Sequence, residues 1–232
     1  MSESGRVSAQ SAGIALLVLA AILVILTRVA PVVRGGGAPL PNPKLDASLA
    51  KAKGRETAVV AGGCFWGVQG VFQHVRGVLS ATSGYSGGPA GAAEYEVVSS
   101  GSTGHAESVK ITYDPSQISY GELLQVFFSV AHDPTELNHQ GPDYGTQYRS
   151  VIFYAGQEQK RIAEAYIAQL GAAKVFSGPI VTQVAPLKGF YPAEAYHQDY
   201  LQRHPDSPYI VINDLPKLTH LREQFPNLYI GK

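Results

Sequence analysis

The sequence contains very little cysteine: Cys64 is the only one among 232 residues. A disulfide within the chain is therefore impossible, and the fold must be held together by its hydrophobic core. A lone thiol is either a buried, unreactive side chain or a nucleophile. The residues around Cys64 must decide between these alternatives.

An excess of charge of either sign is also missing. The 18 basic and 18 acidic side chains cancel, so the chain lacks the electric field with which proteins attract nucleic acid. No HxxxH or CxxC spacing occurs, and the sequence therefore gives no indication of a metal site. We expect no nucleic-acid partner and no bound metal or other cofactor.

Charge is absent from one long segment near the N-terminus. No charged residue lies between Val7 and Thr27, and residues 12–26 read AGIALLVLAAILVIL. A membrane span needs about 20 apolar residues, whereas a signal peptide has an apolar stretch of about 7–15. Residues 1–34 are therefore predicted to be an uncleaved membrane anchor, with a cleaved signal as the alternative. The two arginines that follow the run favour a cytoplasmic catalytic domain, whereas its signal-like character favours export.

The segment after the apolar run is rich in glycine and proline. Residues 35–37 are three glycines, and residues 39–43 read PLPNP. This composition is typical of a tether, so residues 35–56 are predicted to be a linker. The folded domain is predicted to cover residues 57–232.

Short apolar strands and amphipathic helices alternate in the rest of the chain. The strands are predicted over Thr57–Ala61, Val78–Tyr85, Val109–Tyr113, Tyr148–Tyr154 and Ile180–Val184. The helices are predicted to begin near Cys64, to follow the capping box of Ser119 and Glu122, and to cover Gln157–Leu170 and Ala193–Arg203. This order predicts an α/β (α+β) two-layer sandwich with a mixed or antiparallel sheet, a ferredoxin-like plait with long loops. The loops 84–105 and 132–147 are candidate walls of a functional site.

The residues around Cys64 favour a reactive thiol. The motif GGCFWG, residues 62–67, lies where a strand turns into a helix, and its glycines permit a tight turn. Cys64 is therefore expected in the first turn of the helix, where the dipole and free backbone N–H groups favour the thiolate. Phe65 and Trp66 place aromatic faces beside it. This arrangement predicts a functional cysteine.

The string GCFWG resembles the active-site motif of the type A peptide methionine sulfoxide reductases. Further segments resemble this family in the same order: SGYSGG (83–88), Tyr95, GHAE (104–107), HDP (132–134), QGPDYGTQYRS (140–150) and FYPAEAYHQDY (190–200). An ordered set of motifs over residues 57–203 is highly specific. The resemblance implies an enzyme that reduces methionine-S-sulfoxide, free or in proteins, and thereby repairs oxidised proteins.

The resemblance implies catalytic roles for four residues. Cys64 attacks the sulfoxide sulfur, and Glu107 protonates the departing oxygen, which requires a raised pKa. Tyr95 and Tyr148 match tyrosines whose hydroxyls hold the sulfoxide oxygen as fixed donors.

Three further residues are implied to bind or orient the substrate. Phe65 and Trp66 form a small apolar cup for the S-methyl group, in which sulfur–aromatic contacts place the substrate. Asp143 matches an acidic residue near the family's site and is expected to orient other groups.

The resemblance also implies that the oxidised enzyme needs a second thiol. Attack on the sulfoxide leaves Cys64 as a sulfenic acid. Many members carry further cysteines near the C-terminus, whereas the last eight residues here, FPNLYIGK, contain none. The reductant is therefore expected to be an external thiol from a thioredoxin-like protein, glutaredoxin, glutathione or a membrane-associated reductant. Members with a hydrophobic N-terminal extension resemble exported bacterial proteins, which favours a membrane-anchored, periplasm-facing enzyme; a domain facing the cytoplasm is the alternative.

Two other functions are compatible with parts of the pattern. A thiol hydrolase or acyltransferase would pair Cys64 with a histidine and would have no carboxylate in the pocket. A non-catalytic module would use Trp66 and the tyrosines to bind methionine in partner proteins, but such binding needs neither Cys64 nor Glu107. We interpret His132 and His197 as residues whose hydrogen bonds order loops.

Overall fold

The computed structural model describes residues 39–231. The predicted anchor, residues 1–34, lies outside this range. Within the described range, no helix is both long enough and apolar enough to span a bilayer.

A six-stranded mixed sheet forms the centre of the domain. Its strands are β1 (Glu56–Ala61), β2 (Val78–Ser86), β3 (Ala106–Tyr113), β6 (Val151–Tyr154), β7 (Gln183–Pro186) and β8 (Tyr191–Pro192). They lie in the order β7-β6-β1-β3-β2-β8. β6 and β7 run parallel, and the other neighbours are antiparallel. Two short strands, β4 (His139–Gln140) and β5 (Asp143–Tyr144), form a separate hairpin.

The connections between the strands confirm the predicted ferredoxin-like plait. The helices are α1 (Phe65–Gln73), α2 (Tyr95–Val98), α3 (Tyr120–Val126), α4 (Gln157–Ala173), α5 (Tyr200–Arg203) and α6 (Leu215–Gln224). The helix α1 connects β1 to β2, and α3 connects β3 to β6, so each connection passes over one intervening strand. The four inner strands therefore have the order β6-β1-β3-β2 and the connectivity β-α-β-β-α-β.

Apolar side chains cover both faces of the inner strands. On one face, Val60 of β1 and Ile111 of β3 belong to a core shared with Val68 and Phe72 of α1. The opposite face has a smaller cluster, which consists of Val59, Ala61, Ala106, Val151 and Phe153. Because both faces are buried, the end of β1 is a continuous apolar run rather than an alternating pattern.

The described part of the predicted linker packs on the domain. The backbone N–H of Lys44 donates to Oε1 of Gln169 in α4 at 2.8 Å. The carboxylate of Asp46 accepts the backbone N–H of Gly121 in α3 at 2.7 Å. Residues 40–50 are thus a strap across two helices, and the folded domain begins earlier than residue 57. Composition does not reveal this because the partners of the strap lie far away in the sequence.

Tyr148 lies outside β6, although the sequence predicts a strand from this residue. It ends a 3₁₀ turn, Thr146–Tyr148, and β6 begins only at Val151. The hydroxyl of Thr146 donates to the carbonyl of Gly101 at 2.6 Å, and the Gln147 amide donates to the carbonyl of Ser99 at 3.2 Å. These bonds bend the segment away from the sheet.

The C-terminal part differs most from the prediction. The predicted strand Ile180–Val184 is observed as Gln183–Pro186, and the predicted helix Ala193–Arg203 is two short pieces. The break occurs at Asp199, whose φ of 57° is incompatible with a continuous helix. The sequence analysis does not predict α6, although Leu215, Leu218 and Leu221 recur every three residues and Pro216 stands in its first turn.

The predicted capping box of α3 is confirmed and gives a test of the packing. The Ser119 hydroxyl accepts the N–H of Glu122 at 3.1 Å, while the Glu122 carboxylate accepts the N–H of Ser119 at 2.9 Å. The same hydroxyl donates to Asp46 of the strap. We expect Ser119→Ala to lower the free energy of unfolding by about 1–2 kcal/mol, measured by urea denaturation. The exposed Ser177→Ala is the control and should change it by less than about 0.5 kcal/mol; equal losses in both variants would contradict the prediction.

Candidate active site

Cys64 lies at the N-terminus of α1, directly after β1 and two glycines. It is the N-cap residue, with φ −55° and ψ 124°, and thus stands at the positive end of the helix dipole, where the sequence predicts it. Gly63 has a φ of 87°, and a Cβ atom there would lie 2.4 Å from Cγ of Gln140. Only glycine fits this turn, which fixes the thiol beside the β4–β5 hairpin.

Glu107 of β3 lies beside Cys64, under the first turn of α1. Its Oε2 accepts a hydrogen bond from the backbone N–H of Phe65 at 3.0 Å, and the residue is only 4% exposed. Burial raises the pKa of Glu107 to about 8; the Phe65 N–H opposes this shift, and the negative charge of Asp143 adds to it. The carboxyl group is therefore mostly protonated at neutral pH.

Burial also raises the pKa of the Cys64 thiol well above its ordinary value. Glu107 and Asp214 raise it further, whereas the Trp66 backbone N–H and the Lys217 ammonium lower it. The helix terminus alone predicts a thiolate. The structure differs from this prediction because Cys64 is 8% exposed and faces two acids, so that desolvation outweighs the helix dipole.

Tyr95 and Tyr148 come from two short helical segments, α2 and the 3₁₀ turn before β6. Tyr95 begins α2, where its backbone N–H donates to Oε1 of Glu194 at 2.9 Å. Burial raises the pKa of both tyrosine hydroxyls, and the negative charges of Glu107 and Cys64 raise both further. The charges of the acid and the thiol thus act on both tyrosines, and the raised pKa keeps both hydroxyls protonated.

Phe65 and Trp66 differ in their exposure. Phe65 is 1% exposed, and its ring packs against Tyr85 and His197 with centroid distances of 5.9 and 5.1 Å. The Trp66 ring is half-buried, stacks on Tyr200 at 3.7 Å and donates its Nε1–H to Nδ1 of His197 at 3.2 Å. Trp66 therefore supplies the open aromatic surface, and Phe65 lies in the core beside it. The binding of an S-methyl group by the two rings stays a prediction.

Asp143 reaches the site from β5 of the hairpin. It is half-buried and accepts a hydrogen bond from the Tyr209 hydroxyl. Burial raises the pKa of Asp143, while Tyr209 and Lys217 lower it. The Tyr209 ring also stands edge-on to Trp66 at 5.7 Å, so that Tyr209 links the hairpin to the aromatic side of the site. All seven predicted site residues are thus in one region.

Four further residues of the site have no predicted role. Glu194 accepts hydrogen bonds from the Tyr85 hydroxyl and from the backbone of Tyr95, both at 2.9 Å. The others are Tyr209, Asp214 and Lys217, which come from the segment just before α6 and from α6 itself. Glu194 lies within the motif FYPAEAYHQDY, and its place in this motif could have identified it as a candidate site residue. The other three lie beyond the motifs, and no pattern marks them.

His132 and His197 both form hydrogen bonds within the domain, and that these bonds order loops stays a prediction. Nε2 of His132 lies 2.7 Å from Oγ of Ser150, and burial lowers its pKa to about 4, so that the ring is neutral at neutral pH. His197 accepts the Trp66 indole N–H. Among residues 39–231, no histidine is hydrogen-bonded to the Cys64 thiol. The side chain beside this thiol is the carboxyl group of Glu107. This geometry contradicts the hydrolase hypothesis, which requires a Cys–His pair and a pocket without a carboxylate.

The chain is similar to methionine sulfoxide reductases in sequence and in structure. It matches the family described as peptide methionine sulfoxide reductase over residues 56–228. It is 63% identical over 181 residues to peptide methionine sulfoxide reductase MsrA 2 of Mesorhizobium japonicum, which covers 78% of this chain and 93% of that protein. It is 53% identical over 188 residues to the protein of the same name from Synechocystis sp.. This match covers 80% of this chain and 88% of the Synechocystis protein.

Two solved structures share the fold. Methionine sulfoxide reductase A of Corynebacterium diphtheriae is 38% identical with a TM-score of 0.57, covering 75% of this chain and 88% of that one. Reduced Mxr1 from Saccharomyces cerevisiae is 32% identical with a TM-score of 0.60, and the match covers 71% of this chain and 92% of Mxr1. The chain belongs to the peptide methionine sulfoxide reductase family. It is an oxidoreductase, a peptide-methionine (S)-S-oxide reductase, and it reduces methionine sulfoxide to methionine.

The raised pKa of Glu107 predicts that the domain loses stability as the pH rises. The carboxyl group ionises near its ordinary value of 4.5 in the unfolded chain and near 8 in the folded domain. The contribution of Glu107 to the free energy of unfolding is therefore fully present below pH 4.5, and it is lost as the pH rises to about 8. In the wild type this loss of stability amounts to as much as about 4 kcal/mol. We expect Glu107→Gln to remove it. Urea unfolding between pH 5 and pH 8 measures the free energy of unfolding of both proteins.

The exposed Glu223→Gln is the matched control for this measurement, since it makes the same chemical change on the surface of α6. It should keep the pH dependence of the wild type. An equally steep loss of stability in Glu107→Gln would show that another group causes it.

Proposed function

We propose that Cys64 is the nucleophile and Glu107 the general acid in the reduction of methionine-S-sulfoxide. One observation supports this above all: the buried Glu107 carboxyl accepts the N–H of Phe65, the residue after Cys64, at 3.0 Å. A mostly protonated acid therefore lies beside the single thiol of the chain. Binding of methionine alone would need neither group, so the pair favours catalysis over a binding module.

The proposed step moves one oxygen atom and two electrons. The Cys64 thiolate attacks the positively polarised sulfoxide sulfur and forms an S–S bond, and the S–O bond breaks as the Glu107 proton passes to the oxygen, which leaves as hydroxide. The hydroxide then attacks the Cys64 sulfur, the S–S bond breaks, and its electron pair stays on the methionine sulfur. The products are the methionine thioether, the Cys64 sulfenic acid and the Glu107 carboxylate. The sulfoxide sulfur is reduced by two electrons, and the Cys64 sulfur is oxidised by two.

The charge states of Cys64 and Glu107 depend on each other. A Glu107 carboxylate raises the pKa of the thiol, so protonation of Glu107 makes the thiolate easier to form. The pKa of about 8 for Glu107 favours a protonated acid at neutral pH. The two groups are thus expected to titrate as a coupled pair, in which the reactive form combines the thiolate with the acid.

The remaining site residues are proposed to hold the substrate. Tyr95 and Tyr148 donate their hydroxyl hydrogens to the sulfoxide oxygen, where fixed donors stabilise the charge that develops. Trp66, with Phe65 beside it, offers an apolar surface to the S-methyl group, with contacts worth about 0.3–1.5 kcal/mol. Asp143 orients the hairpin side of the site through its hydrogen bond from Tyr209.

The reductant of the sulfenic acid is proposed to be a thiol from outside the chain. Cys64 is the only cysteine, so no second thiol of the same chain can resolve it. Two external thiols restore the Cys64 thiol and leave one disulfide and one water. A thioredoxin-like protein, glutaredoxin or glutathione has the required chemistry.

Activity with separate epimers tests the proposed roles. In full-length enzyme with dithiothreitol and a blocked methionine sulfoxide, we expect thioether from the S epimer only. Cys64→Ser should abolish the reaction, and Glu107→Gln should slow it by about 10²–10⁴-fold because proton transfer is lost. Chromatography of the thioether measures both. In the absence of any thiol reductant, each wild-type molecule should form one thioether and one Cys64 sulfenic acid, which dimedone traps for mass spectrometry.

Glu223→Gln again provides the matched control and should turn over at the wild-type rate. Turnover by a folded Cys64→Ser variant would exclude Cys64 as the nucleophile. If the folded enzyme with a reduced thiol formed thioether from neither epimer, its assignment as a methionine sulfoxide reductase would be wrong.

We propose further that residues 1–34 anchor the enzyme in a membrane, with the catalytic domain facing the periplasm. The support is the run from Val7 to Thr27, which contains no charged residue, together with the resemblance of such extensions to those of exported members. A cleaved signal and a domain facing the cytoplasm are the competing arrangements.

Reporter fusions in a Gram-negative host distinguish these arrangements. Alkaline phosphatase joined to the C-terminus of the full chain should be active, because it folds only after export, whereas a green fluorescent protein at the same site should stay dark. The enzyme should remain in the membrane pellet after a carbonate wash. A fluorescent fusion would place the domain in the cytoplasm, and a shortened soluble product would indicate a cleaved signal.

A further inference from the structure

A buried ion pair lies beside the proposed nucleophile. Nζ of Lys217 lies 3.0 Å from Oδ1 of Asp214. Asp214 is 0% exposed and the Lys217 side chain 18% exposed. The other contacts between acidic and basic side chains in residues 39–231, His139–Glu136 and Lys160–Glu164, are both more exposed. Because a buried pair loses its hydration on folding, it contributes little net stability, and its position calls for a different explanation.

Gly67 shows how closely this pair approaches α1. A Cβ atom at Gly67 would lie 2.0 Å from Oδ1 of Asp214 and 2.7 Å from Nζ of Lys217. The contact is thus possible only because this helical position has no side chain. Gly67 follows Cys64 by three residues, and residues three apart lie on the same face of a helix, about 5–6 Å from each other. The ammonium group is therefore about one helical turn from the thiol.

The charge around Cys64 is otherwise acidic or neutral. The groups whose charges interact with Cys64 are Glu107 of β3, Tyr95 of α2, Tyr148 of the 3₁₀ turn, Tyr209 and Asp214 of the segment before α6, and Lys217 of α6. The charge of Lys217 also lowers the pKa of Asp143 in β5 and of His132, six residues after the end of α3. Lys217 is the cation of this set, since burial keeps His132 neutral.

We propose that Lys217 is a positioning residue for the thiol: Asp214 holds its ammonium against Gly67, where the positive charge stabilises the thiolate of Cys64. The proposal rests on the proposed role of Cys64 as the nucleophile. The directions of the pKa shifts agree with it, because Lys217 lowers the pKa of Cys64 and Asp214 raises it. Lys217 does not need to touch the substrate for this effect.

The pH dependence of Cys64 alkylation tests the proposal. Full-length wild type and variants react with iodoacetamide across a range of pH, and mass spectrometry follows the labelling, which is unambiguous with one cysteine. Lys217→Met should raise the apparent pKa of the thiol by about one unit, so that alkylation below this pKa slows about tenfold. Lys217→Arg should keep most of the wild-type profile. Asp214→Asn, which retains a hydrogen-bond acceptor for Lys217 but no negative charge, should shift the profile to lower pH.

Lys160→Met removes a partly exposed lysine of α4, which is paired with Glu164, and should leave the profile unchanged. Far-UV circular dichroism and thermal unfolding establish that each variant is folded. A folded Lys217→Met variant with the wild-type profile would overturn the proposal, even if its melting temperature had fallen. Should Lys217→Met not fold, Lys217→Gln, which removes the charge and keeps a hydrogen-bond donor for Asp214, decides, since a folded Lys217→Gln variant with the wild-type profile overturns the proposal.

Alkylation requires no sulfoxide, so this experiment is independent of the catalytic assignment. If Cys64→Ser retained reductase activity, the role of Cys64 would be lost, while the alkylation profiles would still report whether Lys217 controls the thiol. Conversely, an unaffected profile in Lys217→Met would leave the reductase assays with Cys64→Ser and Glu107→Gln untouched.

Discussion

The hydrogen bond from the Phe65 N–H to the Glu107 carboxyl joins the first turn of α1 to the middle of the sheet. The register of the sheet makes this bond possible. Val60 of β1 pairs with Val109 of β3, and the same antiparallel register continued by two residues sets Glu107 opposite Gly62. The strand that ends before Cys64 and the strand that contains the acid therefore meet at one point, where the thiol, the acid and the helix terminus are brought together.

This arrangement requires the site to be buried, and burial opposes the ionisation of both reacting groups. The buried site therefore lowers the stability of the domain. The hydrophobic clusters on both sheet faces must offset this loss. Close packing keeps the geometry fixed. At Gly63 and Gly67 any side chain would collide with Gln140 or with Asp214 and Lys217, so both contacts depend on glycine. Functional sites commonly contain such locally unfavourable features.

Local signals in the sequence predict much of this structure, and distant contacts explain what they miss. The turn before Cys64 and the capping box of α3 follow from neighbouring residues, because dipoles, caps and glycine conformations act over a few positions. The strap at residues 40–50 depends on partners in α3 and α4 that lie far along the chain. Lys217 likewise acquires its position only when α6 packs on α1. Even the direction of the Cys64 pKa shift is a property of the assembled site, since the helix terminus alone predicts the opposite.

Charge balance connects the two halves of the proposed reaction. Before the attack the negative charge is on the Cys64 sulfur and Glu107 is protonated; afterwards the sulfur is a neutral sulfenic acid and Glu107 is a carboxylate. The total charge of the site is therefore the same in both states, although the charge has moved from the helix terminus to β3. The tyrosine hydroxyls remain neutral because burial raises their pKa. A fixed cation such as Lys217, one turn along α1 from the thiol, can favour the thiolate before the attack without having to move during it.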